Sequence, residues 1–352
     1  MEHLDLLQKI PEPLLAWYGG QARSLPWRDN PEPYRVWVSE IMLQQTRVEA
    51  VKPYYARFLE ALPTLEALAA APEDQLMKLW EGLGYYSRVR NMQKAARQAL
   101  EQYGGLPASL EELRKLPGIG DYTAGAVASI AFGLPVPAVD GNVLRVAARL
   151  TNSRDDVLSP AVKRQVENAL RGVIPPGRAG DFNQSLMELG AMVCLPNGEP
   201  RCLLCPLRGL CLGLAAGAAP ELPVKAKKKP RKREEKTVLV LLDRQGRAAL
   251  ERRPPKGLLA GMWQFPSLPG RAGEAQARAA AAGWGLSVLS AAPLEPAAHI
   301  FTHIEWHMTG FLLRVEGQGP FTWAAPEELE AAYALPAAFQ AYRKACFPPE
   351  PG

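Results

Sequence analysis

Four of the five cysteines in this 352-residue chain, Cys194, Cys202, Cys205 and Cys211, fall within one 18-residue window as C-x7-C-x2-C-x5-C, while Cys346 stands alone. Thiols that close in sequence converge in space whatever scaffold carries them. In a reducing compartment such a cluster holds metal far more often than it forms disulfides. Structural zinc sites usually present two C-x2-C knuckles, and this window has one. Uneven spacing in a helical context therefore favours a four-iron, four-sulfur cluster, with zinc as the alternative.

The window closes a segment that is helical in pattern throughout, without strand-like alternation. Pro11 and Pro13 break the first helix, and Tyr34 to Leu62 runs as one or two helices. The length suits about two domains. No signal peptide or long uncharged apolar run is present, so a soluble, cytoplasmic protein without a membrane segment is expected. The net charge of +5 is concentrated: Lys225 to Lys236 (KAKKKPRKREEK) carries eight Lys or Arg against Glu234 and Glu235. That run, punctuated by prolines, reads as an exposed basic tether that either grazes a bound duplex or is merely solvated. Outside it the chain is close to neutral, so phosphate affinity there must come from local patches and backbone amides.

One such place is the four-residue turn Pro117-Gly118-Ile119-Gly120 between two helical stretches. The glycines let a partner approach while Ile119 plugs inward, and amides at a helix N-terminus seat an anion such as a nucleic-acid phosphate. An ordinary glycine turn between core helices reads equally well from the turn alone. Twenty residues past Gly120, Asp140 precedes the helix 141–150. It should cap free amides and stay ionised. Val36, Trp37, Glu40, Ile41, Gln44 and Val48 share one helical stripe, which sets Glu40 on an apolar face. Burial there raises a carboxyl pKa toward service as an acid, unless the stripe ends at a cleft and Glu40 reaches water. One carboxyl pushed toward protonation and one held as an anion is the division of labour that breaks a glycosidic bond. Between them, GLGYYSRVRN (82–91) offers tyrosines for stacking on bases, with Arg88 and Arg90 for phosphates.

Six motifs stand in one order: WVSEIMLQQTRV (37–48), GLGYYSRVRN, LPGIGDYTAGAV (116–127), VDGNVLRV (139–146), FNQSLMELGAMVC (182–194) and the cysteine window. In that order they resemble the adenine DNA glycosylases, the MutY family of the helix-hairpin-helix superfamily, and the resemblance extends through both halves of the chain. It implies an all-α domain over 1–220 with a helix-hairpin-helix at about 113–133 and an iron-sulfur loop at 194–211. A basic linker over 221–236 and a Nudix-like α+β domain over 237–346 would follow. The implied partner is double-stranded DNA carrying adenine opposite 8-oxoguanine or guanine, bound by a monomer and, in a bacterium, at the nucleoid. The implied cofactor is one [4Fe-4S] cluster on the four cysteines. Glu40 matches the general acid and Asp140 the carboxylate that stabilises an oxocarbenium-like sugar; Tyr122 and Asn142 flank them. Arg23, Leu25, Trp27 and Gln184 match the adenine pocket, Gln45 and Tyr85 match residues inserted near the lesion, and Gly118, Ile119 and Gly120 match the DNA-gripping turn. The family usually spaces its first two cysteines by six residues and this chain by seven, an expansion expected at Asn197-Gly198.

From Thr237 the pattern changes to strands, with a hairpin expected around Asp243-Arg244-Gln245-Gly246. GLLAGMWQFP (257–266) is similar to the Nudix-like domain of that family. RAGEAQARAAAAGWG, where a working Nudix hydrolase needs several glutamates, offers only Glu274. A binding module without that chemistry is expected, and Phe301, Thr302 and His303 resemble the loop that reads 8-oxoguanine. Two other readings compete. A bifunctional glycosylase/lyase like endonuclease III needs a lysine where this chain has Tyr122, and a non-catalytic binder would lack one of the two carboxylates.

Overall fold

The computed structural model describes residues 1–226 and 230–347. The described residues fall into two units, one of 1–70 with 91–226 and one of 71–90 with 230–347.

The first unit is helical. Its elements begin with α1 (Pro11–Gln21), α2 (Pro26–Asp29), α3 (Pro33–Leu43), α4 (Val48–Ala61) and α5 (Leu65–Ala70). A short α6 (Glu73–Leu79) belongs to the second unit, and α7 (Ser87–Tyr103) leads back into the first. Then come α8 (Leu110–Lys115), α9 (Asp121–Ile130), α10 (Gly141–Leu150), α11 (Pro160–Arg171), α12 (Ala179–Met192) and α13 (Leu212–Ala215). Pro11, Pro26, Pro33 and Pro160 each open a helix, where a missing N–H costs nothing. Pro11 thus starts α1 just after a short 3-10 helix, Leu4–Lys9, has ended, while Pro13 sits in the first turn of α1 without breaking it. The core is apolar stripes meeting: Val143, Val146, Ala147 and Leu150 of α10 pack with Phe182, Leu186 and Leu189 of α12 and with Leu7, Ile10 and Leu14. Gly190 allows that approach, because a methyl there would lie 2.6 Å from Asn142 Cβ.

α8 and α9 are the two arms of the hairpin, joined by residues 116–120. Gly118 takes φ +76°, a left-handed conformation that glycine adopts without cost. Ile119 is buried beneath the turn. α9 and the extended segment behind it end at Asp140, whose side chain accepts from Val143 N (2.8 Å) and caps α10.

The second unit is a seven-stranded sheet: β1 (Lys232–Leu242), β2 (Ala248–Arg252), β3 (Trp263–Gln264), β4 (Ser267–Pro269), β5 (Ser287–Ile300), β6 (Ile304–Glu316) and β7 (Thr322–Ala324). The order is β3-β2-β1-β6-β5, with β4 on β1 and β7 on β2. β1 and β6 run parallel from Lys232↔Ile304 to Leu242↔Arg314. One face buries Leu239, Leu241, Leu313 and Val315 under Ala277 and Ala281 of α14 (Glu274–Gly283). The other buries Val238, Val240, Trp306 and Met308 against Phe265, Phe339 and Tyr342. The β1–β2 turn forms as expected, with Asp243 Oδ1 accepting from Gln245 N and Arg247 N and Gly246 at φ +78°.

Three stretches differ in their assignment from that read in the sequence. Lys232 to Lys236 are not linker: they form the start of β1, where backbone pairing with β6 fixes them and Glu234 accepts from Trp306 Nε1 (3.2 Å). Residues 221–226 lie against the helical unit, Val224 O accepting from Val157 N (3.2 Å) and Asp156 Oδ1 from Ala226 N (3.2 Å). The tether is therefore narrower than the basic run, and its Lys227, Lys228 and Lys229 lie outside the described residues. The segment 71–90 goes with the sheet, not with the helices that flank it in sequence. Glu81 Oε1 accepts from Leu335 N (3.0 Å), and Asp74 pairs with Arg252.

Candidate active site

A cavity of about 680 Å³ opens in the helical unit, walled by residues of α2, α3, α9, α10 and α12 and by the hairpin turn. It gathers Arg23, Leu25, Trp27, Glu40, Gln45, Gly118, Gly120, Tyr122, Asp140, Asn142 and Gln184. Of Gly118, Ile119 and Gly120, Ile119 does not line it, because its side chain is the inward plug.

Glu40 sits on the last full turn of α3 and is only 6% exposed. Burial pushes its carboxyl up to about 7, even though Tyr122 OH donates to Oε2 at 2.6 Å and draws it down; nearby Asp140 adds to the rise. Tyr122, on the first turn of α9, is itself pushed well above its ordinary value by burial and by Glu40, so it remains a neutral phenol and a donor. The thioether of Met187 lies 3.7 Å from the same hydroxyl.

Asp140 differs from its expected setting. Burial pushes its carboxyl above the ordinary aspartate value, against hydrogen bonds from Val143 N and the Asn142 amide (2.7 Å) and the charge of Arg145. Both carboxyls are thus raised, Glu40 in a buried position and Asp140 in a partly buried one. What separates them is bonding: the cap supplies Asp140 with backbone and amide donors, while Glu40 has a phenol. Asn142 is fixed in turn by Arg145, whose Nη2 donates to Asn142 Oδ1 (2.8 Å) and Gly190 O (2.8 Å) while Nε donates to Cys194 O (2.8 Å).

The opposite wall is a charged clamp that spacing did not reveal. Glu188, nearly fully buried on α12, accepts from Arg23 Nε (2.6 Å), Arg23 Nη2 (2.9 Å) and Arg28 Nη2 (2.9 Å). Burial pushes Glu188 up, yet the two guanidiniums outweigh it and hold the carboxyl at about 2. Arg28 also donates from Nε to Gln184 Oε1 (3.0 Å) and from Nη1 to Arg23 O (2.9 Å). Trp27, edge-on to Tyr55 at 5.4 Å, and Leu25 supply the apolar floor. Arg28, Glu188 and Met187 were missed, although Gln184, Met187 and Glu188 lie at i, i+3 and i+4 on α12 and so share a face. At the rim, Gln45 takes φ +60°, and Gln44 Nε2 donates to Thr123 Oγ1 (3.3 Å).

Tyr85, Phe301, Thr302 and His303 are brought together elsewhere, around a cavity of about 560 Å³ in the second unit. Phe301, Thr302 and His303 form the tip between β5 and β6, with Phe301 stacked edge-on against Trp306 at 4.9 Å. Tyr85 is 47% exposed, takes φ +47°, and its hydroxyl lies 2.8 Å from Thr302 Oγ1. Tyr86 is buried. Arg88 is turned inward: it lies over the Trp80 and Tyr85 rings, donates to Leu83 O (3.0 Å) and Gly84 O (3.2 Å), and is pushed down to about 10 by burial. Arg90 pairs with Glu73 (2.7 Å).

Cys194, Cys202, Cys205 and Cys211 line one small cavity together with Arg149, Arg208, Val193 and Leu214. Arg149 Nη1 donates to Cys194 Sγ (3.2 Å), and Arg149 O lies 3.4 Å from Cys211 Sγ. Gly198, in the lengthened first spacing, takes φ +74°.

Residues 38–176 match the HhH-GPD superfamily of base excision DNA repair proteins, and residues 237–345 match the NUDIX domain. The human adenine DNA glycosylase is 37% identical over 91% of this chain and 70% of its own length. A thermostable thymine-DNA glycosylase superposes with a TM-score of 0.54 at 26% identity, covering 60% of this chain and 98% of its own. A trapped covalent complex of endonuclease III with DNA does so with a TM-score of 0.52 at 28% identity, covering 62% and 99%. The chain belongs to the adenine DNA glycosylase family.

Proposed function

We propose that the helical unit hydrolyses the N-glycosidic bond of adenine paired with 8-oxoguanine or guanine in duplex DNA, leaving an intact strand with an abasic site. The observation that carries this is the Glu40–Tyr122 bond beside the capped Asp140, at one cavity floored by Trp27 and Leu25. A base inside a duplex cannot reach such a cavity, so the nucleotide is extruded into it. Protonated Glu40 gives its proton to the adenine ring as the bond to the sugar carbon breaks. Asp140 stabilises the positive charge that develops on the sugar. Water adds to that carbon, and its released proton returns to the Glu40 carboxylate, restoring the acid. Tyr122 holds Glu40 in place throughout, and the Glu188 clamp fixes Arg23, Arg28 and Gln184 around the base. Tyr122 stands where a lyase needs an amine to form a Schiff base, and a phenol cannot form that adduct.

The four cysteines fit a [4Fe-4S] cluster: the donor set is all thiol, the walls are largely apolar, and Arg149 offers an N–H and a positive charge to the sulfur side. Bound there, the cluster would tie 194–211 into one loop against α10. Purified protein should contain about four irons per chain and absorb broadly in the visible; zinc in their place, found by metal analysis of anaerobically prepared protein, contradicts this assignment.

The reader of the opposite base is assigned to Phe301, Thr302 and His303 with Tyr85. The chain is proposed to act as a monomer on duplex DNA in the compartment that holds it. Single-turnover excision of adenine opposite 8-oxoguanine, G, C and T tests the assignment. Thr302→Val keeps the shape and removes the hydroxyl, and should cut the preference for 8-oxoguanine over guanine by about tenfold, the worth of one neutral hydrogen bond. An unchanged preference removes Thr302 from the reader.

A further inference from the structure

Of the eight methionines in the chain, Met42, Met77, Met92, Met262 and Met308 are sealed in cores. Met187 is only partly buried and lines the active-site cavity. Its sulfur lies 3.7 Å from the Tyr122 hydroxyl, the group that holds Glu40. A thioether is a weak acceptor, so at present the single phenolic hydrogen goes to the Glu40 carboxylate. A sulfoxide oxygen is a far stronger and more polar acceptor.

Resting on the functional reading above, we propose that Met187 is a reversible oxidation site, through which hydrogen peroxide or a related peroxide switches off base excision. The sulfur lone pair attacks one peroxide oxygen and the O–O bond breaks. The thioether is oxidised to a sulfoxide by one oxygen atom, and the peroxide is reduced to water. The new oxygen stands among Tyr122, Glu40 and the incoming base. It draws the phenolic hydrogen, or the proton of the Glu40 acid, away from the bond that positions catalysis. A reductase that consumes a dithiol returns the thioether and restores the site. Because Met187 lines the cavity, DNA with its nucleotide extruded there should shield it.

The test uses the intact cluster-bearing protein and Met187→Leu, each pulsed with hydrogen peroxide, quenched with catalase, and compared with its own untreated rate. Peptide mass spectrometry should place one added oxygen on Met187. Positioned acid catalysis is worth about 10² to 10⁴, so its partial loss should slow single-turnover excision at least about tenfold. Methionine sulfoxide reductase with dithiol should bring the rate back, and pre-bound duplex should slow the oxidation. Met187→Leu should keep its own untreated rate within about a factor of two, since the remaining partly buried methionines, Met1 and Met192, do not line the cavity. Parallel loss of activity in Met187→Leu, a Met187 sulfoxide with an unchanged excision rate, or a Met187 that resists oxidation would each overturn the proposal. The untreated rate tests the functional reading separately.

Discussion

Glu40→Gln should bind adenine-containing duplex as tightly as the unaltered chain and yet excise it about 10² to 10⁴ times more slowly, because the amide keeps the shape and cannot give a proton. The same burial that makes Glu40 an acid fixes the pH dependence. With its carboxyl raised from an ordinary 4.5 to about 7, the proton-donating form prevails below that value, so excision should fall as pH rises through about 7. Stability follows with a defined sign. A carboxyl whose folded pKa exceeds its unfolded one stabilises the fold least when ionised, so Glu40 lowers stability progressively from about pH 4.5 to 7, on the order of 3 kcal/mol once fully charged. The glutamine variant should therefore be the more stable protein at pH 8 and no more stable at pH 4. Denaturant melts at both pH values, beside single-turnover rates, check this. A Gln variant that is active, or equally destabilised at pH 8, removes Glu40 from the role of buried acid.

Arg145→Met should be the most damaging change outside the two carboxyls. Its guanidinium joins Asn142 Oδ1, Gly190 O and Cys194 O in one fork, so a single side chain bridges the Asp140 cap and the first cysteine of the cluster loop. Removing it leaves buried acceptors unpaired, at roughly 1–3 kcal/mol each before relaxation, and a total loss of about 3 kcal/mol or more is expected. Asn142 is then free to turn its amide away from Asp140, which should slow excision a further 10- to 100-fold, as outer-layer partners of a site commonly do. Arg145→Lys should restore little, because a point charge cannot serve three acceptors from one plane. Native-like melts and rates in Arg145→Met would show that the bridge is incidental.

How far the sequence could carry these conclusions depended on the range of the interaction. Ile119 as an inward plug, Asp140 as a cap and Glu40 on an apolar stripe are consequences of local periodicity and turn chemistry, and all three are present in the fold. The cysteine window is equally local. What spacing could not show is pairing between distant positions. Arg23 and Glu188 lie 165 residues apart and meet only because α12 packs beside the segment before α2. The inward turn of Arg88 depends on the Trp80 ring beneath it, so composition alone suggested a phosphate contact. The basic run misled in the same way: charge argued for a solvated tether, and strand pairing with β6, set some 70 residues later, incorporated half of it into the sheet. The Asp140 carboxyl shows a conflict of magnitudes, since the cap is real and burial still outweighs it.

The account stands most directly on one reaction: the purified chain, in excess, with a duplex carrying a single adenine opposite 8-oxoguanine, in the presence of borohydride. Free adenine should be released in a single turnover, the strand should remain intact until treated with alkali or heat, and almost no protein should be trapped on the DNA, because Tyr122 offers no amine to the sugar. No release of adenine, or a covalent complex that accumulates in step with base release, would contradict hydrolysis at the Glu40, Tyr122 and Asp140 site.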